Sequence, residues 1–283
     1  MNFDFAYTPS RGPDRSKARR QGEEAVVITE HGSYVAPSGR TVTIADAVRA
    51  AVSGTRDYRP EETVRLPSPG ARATTMRVVN GTSLEAAREI ASRGHEPFVL
   101  NFASAKNAGG GFLNGARAQE ESLARASSLY ECIRRSEMYA HHRACGDCLY
   151  SDWMIHSPSV PVFRDDDSGA LLEEPYRCAF LTAPAPNAGE VLARRPDRLD
   201  EVNRTLCSRI TRSLAIAAVH GHTHLVLGAW GCGVFKNSPV VVADAYRADL
   251  EGAFKGVFEE VVFAVLDWSE DRHFVRPFAE RFA

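Results

Sequence analysis

The chain has 283 residues, with 34 Lys and Arg against 36 Asp and Glu for a net charge of −2, and 44% of its residues are hydrophobic. This composition excludes wholesale disorder, and the charge balance excludes a global positive field for nucleic acid or an anionic membrane, so any polyanion is gripped locally. The start Met1-Asn2-Phe3-Asp4-Phe5 lacks an export signal, no later run is long and apolar enough to span a bilayer, and six irregularly spaced cysteines read as thiols. The expected location is cytoplasmic.

Residues 9 to 22 carry Arg11, Arg15, Lys17, Arg19 and Arg20 with little apolar content, which reads as a solvated helix face or a mobile arm. A short helix is predicted over Ile44 to Val52, and Pro60 and Pro67-Ser68-Pro69-Gly70 then break the chain. The boundary between an N-terminal extension (1–70) and the main domain (71–283) is placed there. Beyond it, Met76 to Val79 reads as a strand, Thr82 or Ser83 caps a helix to about Ser92, and Pro97 to Phe102 is a second, almost continuously apolar strand. Parallel pairing is the natural expectation for this alternation. One helix is predicted from about Ala118 through Met138. Further strands are expected at Trp153 to Ile155, Ala179 to Leu181, Leu225 to Leu227 and Val261 to Leu266, with helices near Arg198 to His220 and Ser238 to Phe258.

The second strand runs directly into Asn107-Ala108-Gly109-Gly110-Gly111, and Gln119-Glu120-Glu121 opens the next helix. Glycines let a backbone take positive φ and approach a ligand with no Cβ in the way. A similar loop, Gly228-Ala229-Trp230-Gly231-Cys232-Gly233-Val234-Phe235, again lies between strand and helix. Two such loops at neighbouring strand ends would wrap a diphosphate with backbone N–H groups and helix N-termini. The glutamates have a plain explanation as first-turn carboxylates at the positive end of a helix dipole. Being adjacent, they point about 100° apart on a helix, so they do not flank one bond as a glycosidase pair does and must have different jobs. An acid role would need burial or a hydrogen bond to raise a pKa that the dipole lowers, with Phe112, Leu113 and Leu123 as candidate apolar cover.

Other constellations read as ordinary structure. His141-His142 and Cys145-Gly146-Asp147-Cys148 form a solvated loop with incidental thiols rather than a metal site, because a second Cys pair is missing. His220, His222 and His224 sit at turn and strand-edge positions. Cys232 has no identifiable base beside it. Aromatics available to stack a base are Phe98, Phe102, Trp230, Trp268, Phe274 and Phe278, without a ground for choosing.

The stretch from Asn101 to Leu123, with its triple glycine and Gln119-Glu120-Glu121, resembles the signature of bacterial-type poly(ADP-ribose) glycohydrolases, a catalytic branch of the macrodomain fold. Tyr150-Ser151-Asp152, the run Ser157 to Asp165, Ala183-Pro184-Ala185-Pro186-Asn187 and Gly231 to Asn237 support it. The resemblance implies a three-layer α/β/α macrodomain with a mixed, mostly parallel sheet and an N-terminal helical extension. It implies cleavage of ribose–ribose O-glycosidic bonds, with Glu121 as general acid and then base, Glu120 holding the departing unit's ribose, and Asn107 on the ribose being cleaved. Gly109, Gly110 and Gly111 would shape the catalytic loop, Gln119 belongs to the ligand-binding set, and Gly231, Cys232, Gly233 and Val234 would offer amides to the diphosphate. Phe235 would pack on the distal ribose and favour chain ends, or else serve the core.

No metal or cofactor is implied. The expected partners are poly(ADP-ribose), ADP-ribose and ADP-ribosylated proteins, with no membrane and no direct DNA contact, for a bacterial monomer with a place in the DNA damage response. Two rival readings stay open: a macrodomain that binds ADP-ribose without cutting it, and a hydrolase of single ADP-ribosyl groups.

Overall fold

The computed structural model describes residues 12–283 together with Phe3 and Pro9; Arg11 of the arginine-rich stretch lies outside the described residues. The chain opens with α1 (Arg15–His31), a hairpin of β1 (Ser33–Val35) and β2 (Thr41–Thr43), α2 (Ala45–Gly54) and the short β3 (Arg56–Tyr58). Then come β4 (Thr75–Val79), α3 (Ser83–Ser92), β5 (Phe98–Phe102), α4 (Gln119–Ala126), α5 (Leu129–Ile133) and α6 (Met138–Ala144). The last part holds β6 (Met154–Arg164), β7 (Leu171–Ala183), α7 (Ala188–Arg194), α8 (Leu199–Val219), β8 (His224–Leu227), α9 (Pro239–Glu251), β9 (Glu260–Ala264) and α10 (Arg276–Phe282). No helix among the described residues is long and apolar enough to cross a membrane.

Seven strands form one sheet in the order β3-β6-β7-β5-β8-β9-β4. The pairs β7·β5, β5·β8, β8·β9 and β9·β4 are parallel, while β3·β6 and β6·β7 are antiparallel. The central strands are apolar on both faces, as burial under helices on each side requires. Period-two alternation sends Phe98, Leu100, Leu225, Leu227, Val261 and Phe263 into a core shared with α8, α9 and α10, and Val99, Val226 and Val262 into one shared with α3, α4 and α5. The result is the expected three-layer α/β/α arrangement.

Several sequence expectations change. The strands β4 and β5 do not pair; β8 and β9 lie between them, because the chain after α3 crosses from the edge strand β4 to the sheet centre and the gap is filled later. The single helix expected from Ala118 to Met138 is two short ones, α4 and α5, and a third, α6, begins only at Met138. At Ser127 the backbone turns extended (φ −145, ψ 175), its hydroxyl donates to Leu123 O, and the residue bridges to Val162 of β6. Serine competes for backbone groups in this way, which is why an apolar periodicity can run across a real break. The short strands expected near Trp153 and Ala179 are a long antiparallel pair. The first seventy residues also contribute to the main sheet through β3, which pairs with β6.

The helix α1 shows why its basic residues are exposed. Ala18, Gln21, Gly22, Ala25 and Ile28 form its buried stripe, leaving Arg15, Lys17, Arg19 and Arg20 outside. Gly22 has a packing reason, since a Cβ there would stand 2.9 Å from Phe112 O in the turn before α4. The extension thereby braces the segment that carries the glycine loop.

At the opposite end of the sheet, His156 lies between His220 (ring centroids 3.7 Å apart) and His222 (Nε2 to Nε2 3.0 Å), with the Tyr58 hydroxyl 2.8 Å from His220 Nε2. Burial, reinforced for His156 and His222 by neighbouring imidazoles and for His156 and His220 by Arg56, pushes His156 down to about 3, His222 to about 4, and lowers His220. Folded-state values below the unfolded value of about 6.5 mean the contribution to stability is held above that pH and lost as pH falls toward 4. The melting temperature is therefore expected to drop between pH 6.5 and 4.5, as folding stability falls by up to about 1.4 kcal/mol per pH unit per histidine. A flat melting temperature over that range, measured by calorimetry, would remove the cluster from this role.

Candidate active site

The strands β5 and β8 lie side by side, Phe98 against Leu225 and Val99 against Val226, so the loops leaving their carboxyl ends are neighbours. That is where open α/β sheets place ligands. In the first loop, Gly109 and Gly110 sit at φ +69 and +58, and successive turn bonds from Gly110 N–H to Asn107 O and from Phe112 N–H to Gly109 O keep it tight. A Cβ on Gly110 would overlap Glu121 Oε1 and stand 3.0 Å from Glu120 Oε2. Bare backbone thus lies directly over both carboxylates.

The first turn of α4 is locked to the sheet by Gln119. Its Oε1 accepts from Phe102 N–H (2.9 Å), and its Nε2 donates to Leu100 O (2.7 Å) and Ser83 Oγ (3.1 Å). Gln119 lines the cleft, yet its amide is already used by the protein. Glu120 Oε2 then accepts from Ser104 N–H at 2.6 Å, and Glu121 Oε1 from Gly111 N–H at 2.9 Å. The two residues are only 4% and 9% exposed, and their other oxygens, Glu120 Oε1 and Glu121 Oε2, are buried without a protein partner. Such orphaned acceptors are rare in folded proteins and point to a ligand.

Burial pushes the Glu120 carboxyl up to about 8; the Ser104 N–H opposes this and the Glu121 charge adds to it. Glu120 therefore keeps its proton at neutral pH. Phe112 and Leu123 supply the expected apolar cover, each 1% exposed, whereas Leu113 is 37% exposed and does not. Arg125, one helical turn after Glu121, is buried and donates to Ala116 O and Ser122 Oγ, which sets a positive charge beside the pair. The (i, i+4) spacing of Glu121 and Arg125 was the sequence signal for it.

The second loop forms the facing wall. Gly231 has φ +72, and its close neighbours Asn237 and Ala185 leave no room for a Cβ. Asn237 Nδ2 donates to Pro186 O and Gly231 O, while Trp230 is fully buried with Nε1–H donating to Ala183 O, so β7 holds this loop from beneath. Burial pushes the Cys232 thiol up to about 12, which suits a backbone role and not a nucleophile. Val234 is 82% exposed at the rim. The ring of Phe235 is half-buried, packs in part on the core, and lies 6.0 Å from that of Tyr150.

A third wall follows β9. Asp267 is 1% exposed; its Oδ1 accepts from Ser269 N–H and Oγ–H, and its Oδ2 from Phe274 and Val275 N–H. Burial alone would raise this carboxyl, and the hydrogen bonds outweigh it and hold it below the usual range. The loop it shapes turns Trp268 and Phe274 into the cleft. With Phe102 and, from the second loop, Phe235, these are the aromatics that line it with exposed surface; Trp230 borders the cleft but is fully buried, and Phe98 and Phe278 are core side chains, so these three leave the set of stacking candidates.

The three walls enclose about 840 Å³, a volume suited to a dinucleotide-sized ligand. Asn107, Gly110, Gly111, Gln119, Glu120, Glu121 and the whole of Gly231 to Phe235 line it, whereas Gly109 shapes the turn against Phe112 from behind. Sequence reasoning did not single out Arg125, Asp166 or Asp267, and it read Thr82 and Ser83 as a helix cap without placing them at the cleft, which Thr82, Ser83, Asp166 and Asp267 line. Among the described residues, no group of three or more His, Cys, Asp or Glu side chains is placed to hold a metal.

The fold and cleft together define an α/β protein with paired buried carboxylates between two glycine-rich loops, the layout of a catalytic macrodomain. The chain belongs to the family of microbial-type poly(ADP-ribose) glycohydrolase (PARG) catalytic domains, whose model matches residues 22–165. It is similar to the poly(ADP-ribose) glycohydrolase of Thermomonospora curvata, with 50% identity and a TM-score of 0.88 over 94% of this chain and 100% of that one. The same enzyme bound to the inhibitor ADP-HPD gives 48% identity and a TM-score of 0.86 over the same shares. The Deinococcus radiodurans enzyme in complex with ADP-ribose gives 44% identity and 0.79, over 85% of this chain and 98% of that one. No curated protein matches the chain.

Proposed function

We propose that this protein hydrolyses the ribose–ribose O-glycosidic bonds of poly(ADP-ribose) and releases ADP-ribose. The observation that carries the reading is the pair of unpartnered oxygens, Glu120 Oε1 and Glu121 Oε2, buried on the floor of the cleft. Glu121 is held by Gly111 N–H through one oxygen and uses the other to protonate the departing ribose oxygen, then to take a proton from the attacking water. Glu120, fixed by Ser104, hydrogen-bonds the ribose of the departing unit. Burial keeps Glu120 protonated, so it can donate a hydrogen bond to that ribose and sets no second negative charge beside Glu121. The substrate's own diphosphate, cradled by the Gly231 to Val234 amides, offsets the cationic charge that develops at the sugar. Asn107, exposed at the loop tip, reaches the ribose being cleaved.

A module that only reads ADP-ribose has no need of two buried carboxylates with free oxygens. A hydrolase of single ADP-ribosyl groups would leave Glu120 without the adjacent ribose it is placed to hold. Parallel incubation with the polymer and with a mono-ADP-ribosylated protein separates these: ADP-ribose released from the polymer alone supports the proposal, and release from the mono-modified protein alone overturns it.

Phe235 caps the terminal ribose and so favours chain ends. Phe235→Ala is expected to weaken ADP-ribose binding about tenfold and to add oligomers to the products. Unchanged affinity and an unchanged product ladder would return Phe235 to the core. The balanced charge supports action on ADP-ribose polymer without direct DNA binding. Residues 1–70 serve as an extension that braces the catalytic loop and adds an edge strand to the 71–283 domain, a role supported by the packing of Gly22 on Phe112 and the pairing of β3 with β6.

A further inference from the structure

His142 is fully buried at the end of α6, in a stretch the sequence suggested was a solvated loop. Its Nε2 lies 3.1 Å from Ser151 N and 2.7 Å from Ser151 Oγ. A backbone N–H only donates, so Nε2 is the acceptor and the ring proton sits on Nδ1, which donates to Ala105 O at 3.2 Å. Ala105 follows Ser104, whose N–H holds Glu120, and precedes Asn107 by two residues.

On the other side of the ring, Ser151 follows Tyr150, a non-glycine residue at φ +59. That conformation is costly and persists only where the surroundings enforce it. The Tyr150 ring lies 5.5 Å from His142 and 6.0 Å from Phe235, and two residues before it Cys148 O accepts from Asn187 N–H at 2.9 Å. Asn187 caps α7, whose Gly189 N–H donates to Phe235 O at 3.0 Å. One imidazole thus touches both the loop that sets the carboxylates and the turn that supports the capping phenylalanine.

We propose that His142 is a positioning residue that fixes the catalytic loop against the Phe235 wall, so that the carboxylates and the ribose cap keep one spacing. The device works only with a neutral ring, since protonation at Nε2 would set a donor against the Ser151 N–H. Burial, with His141, Arg209 and Lys106 nearby, pushes His142 down to about 4; Arg143 adds a further positive charge by donating to Lys106 O, while the Asp152 carboxylate is taken up by Arg209.

The inference rests on the glycohydrolase reading, and two variants test it separately from that reading. His142→Gln keeps an acceptor near Ser151 and loses the donor to Ala105 O; His142→Asn keeps the donor and loses the acceptor. With poly(ADP-ribose), His142→Gln should lower kcat about tenfold at a KM within threefold, and His142→Asn should raise KM and the ADP-ribose Kd about tenfold at a kcat within threefold. Ser151→Ala should follow His142→Asn in direction with a smaller effect, and it stands in if the histidine variants do not fold. Variants with wild-type melting temperatures and kcat, KM and Kd all within twofold of wild type would overturn the proposal, as would losses that merely track melting temperature. A wild-type protein that releases no ADP-ribose would overturn the function reading instead, and the Kd values would still test the tie.

Discussion

Replacing Glu121 with Gln is expected to lower turnover of poly(ADP-ribose) by about a thousandfold or more while leaving ADP-ribose affinity within about threefold. The amide is nearly isosteric and does not carry a transferable proton at neutral pH, so it keeps the shape of the floor and loses the acid and the base together. Its Oε1 still accepts from Gly111 N–H, as the carboxylate does at 2.9 Å. Binding should survive because the walls that grip the ligand, Gly231 to Val234 and the Trp268–Phe274 loop, do not depend on Glu121. A loss confined to affinity would mean that Glu121 only holds substrate, and unchanged turnover would remove it from the chemistry. Isothermal calorimetry with ADP-ribose and a stopped time course with polymer read the two quantities separately.

Gly110→Ala should be nearly as damaging, for a steric reason. The position has φ +58, which costs an L-residue about 1 kcal/mol or more, and the new methyl would enter the space of Glu121 Oε1 and press on Glu120 Oε2. Either the loop lifts or the carboxylates rotate, and a displacement of about 1 Å costs on the order of a hundredfold in rate. Turnover is expected to fall about a hundredfold or more with a melting temperature lowered by a few degrees. Gly146→Ala is the matched control: a Cβ there meets nothing within 4 Å. Equal activity in the two variants would show that Gly110 is a flexible connection and that the carboxylates do not need bare backbone above them.

How much of this was legible in the sequence depended on how local the signal was. The glycine runs, the Thr82 cap and the apolar strands β4, β5, β8 and β9 carry their causes in neighbouring residues, and the structure places them as read. The order of strands in the sheet was not legible, because β4 acquires its neighbour β9 from nearly two hundred residues downstream. The break at Ser127 depends on Val162, and the burial of His142 depends on Ala105 and Ser151, so no periodicity reports either. Adjacent glutamates do diverge in partner, Ser104 for one and Gly111 for the other, as helix geometry requires. Their convergence beneath Gly110 is a property of the folded loop alone. Asp267 shows the same limit: four hydrogen bonds converge on a residue just past the expected end of a strand, where nothing local singled it out.

The most direct test of the central claim is a time course of purified protein with long poly(ADP-ribose), in which free ADP-ribose is quantified from the first minutes alongside the polymer that remains. The account predicts monomeric ADP-ribose from the outset in the wild type and intact, still-bound polymer with Glu121→Gln. Intact polymer retained by the wild type, despite tight ADP-ribose binding, would contradict it and leave a reader of the modification in place of a hydrolase.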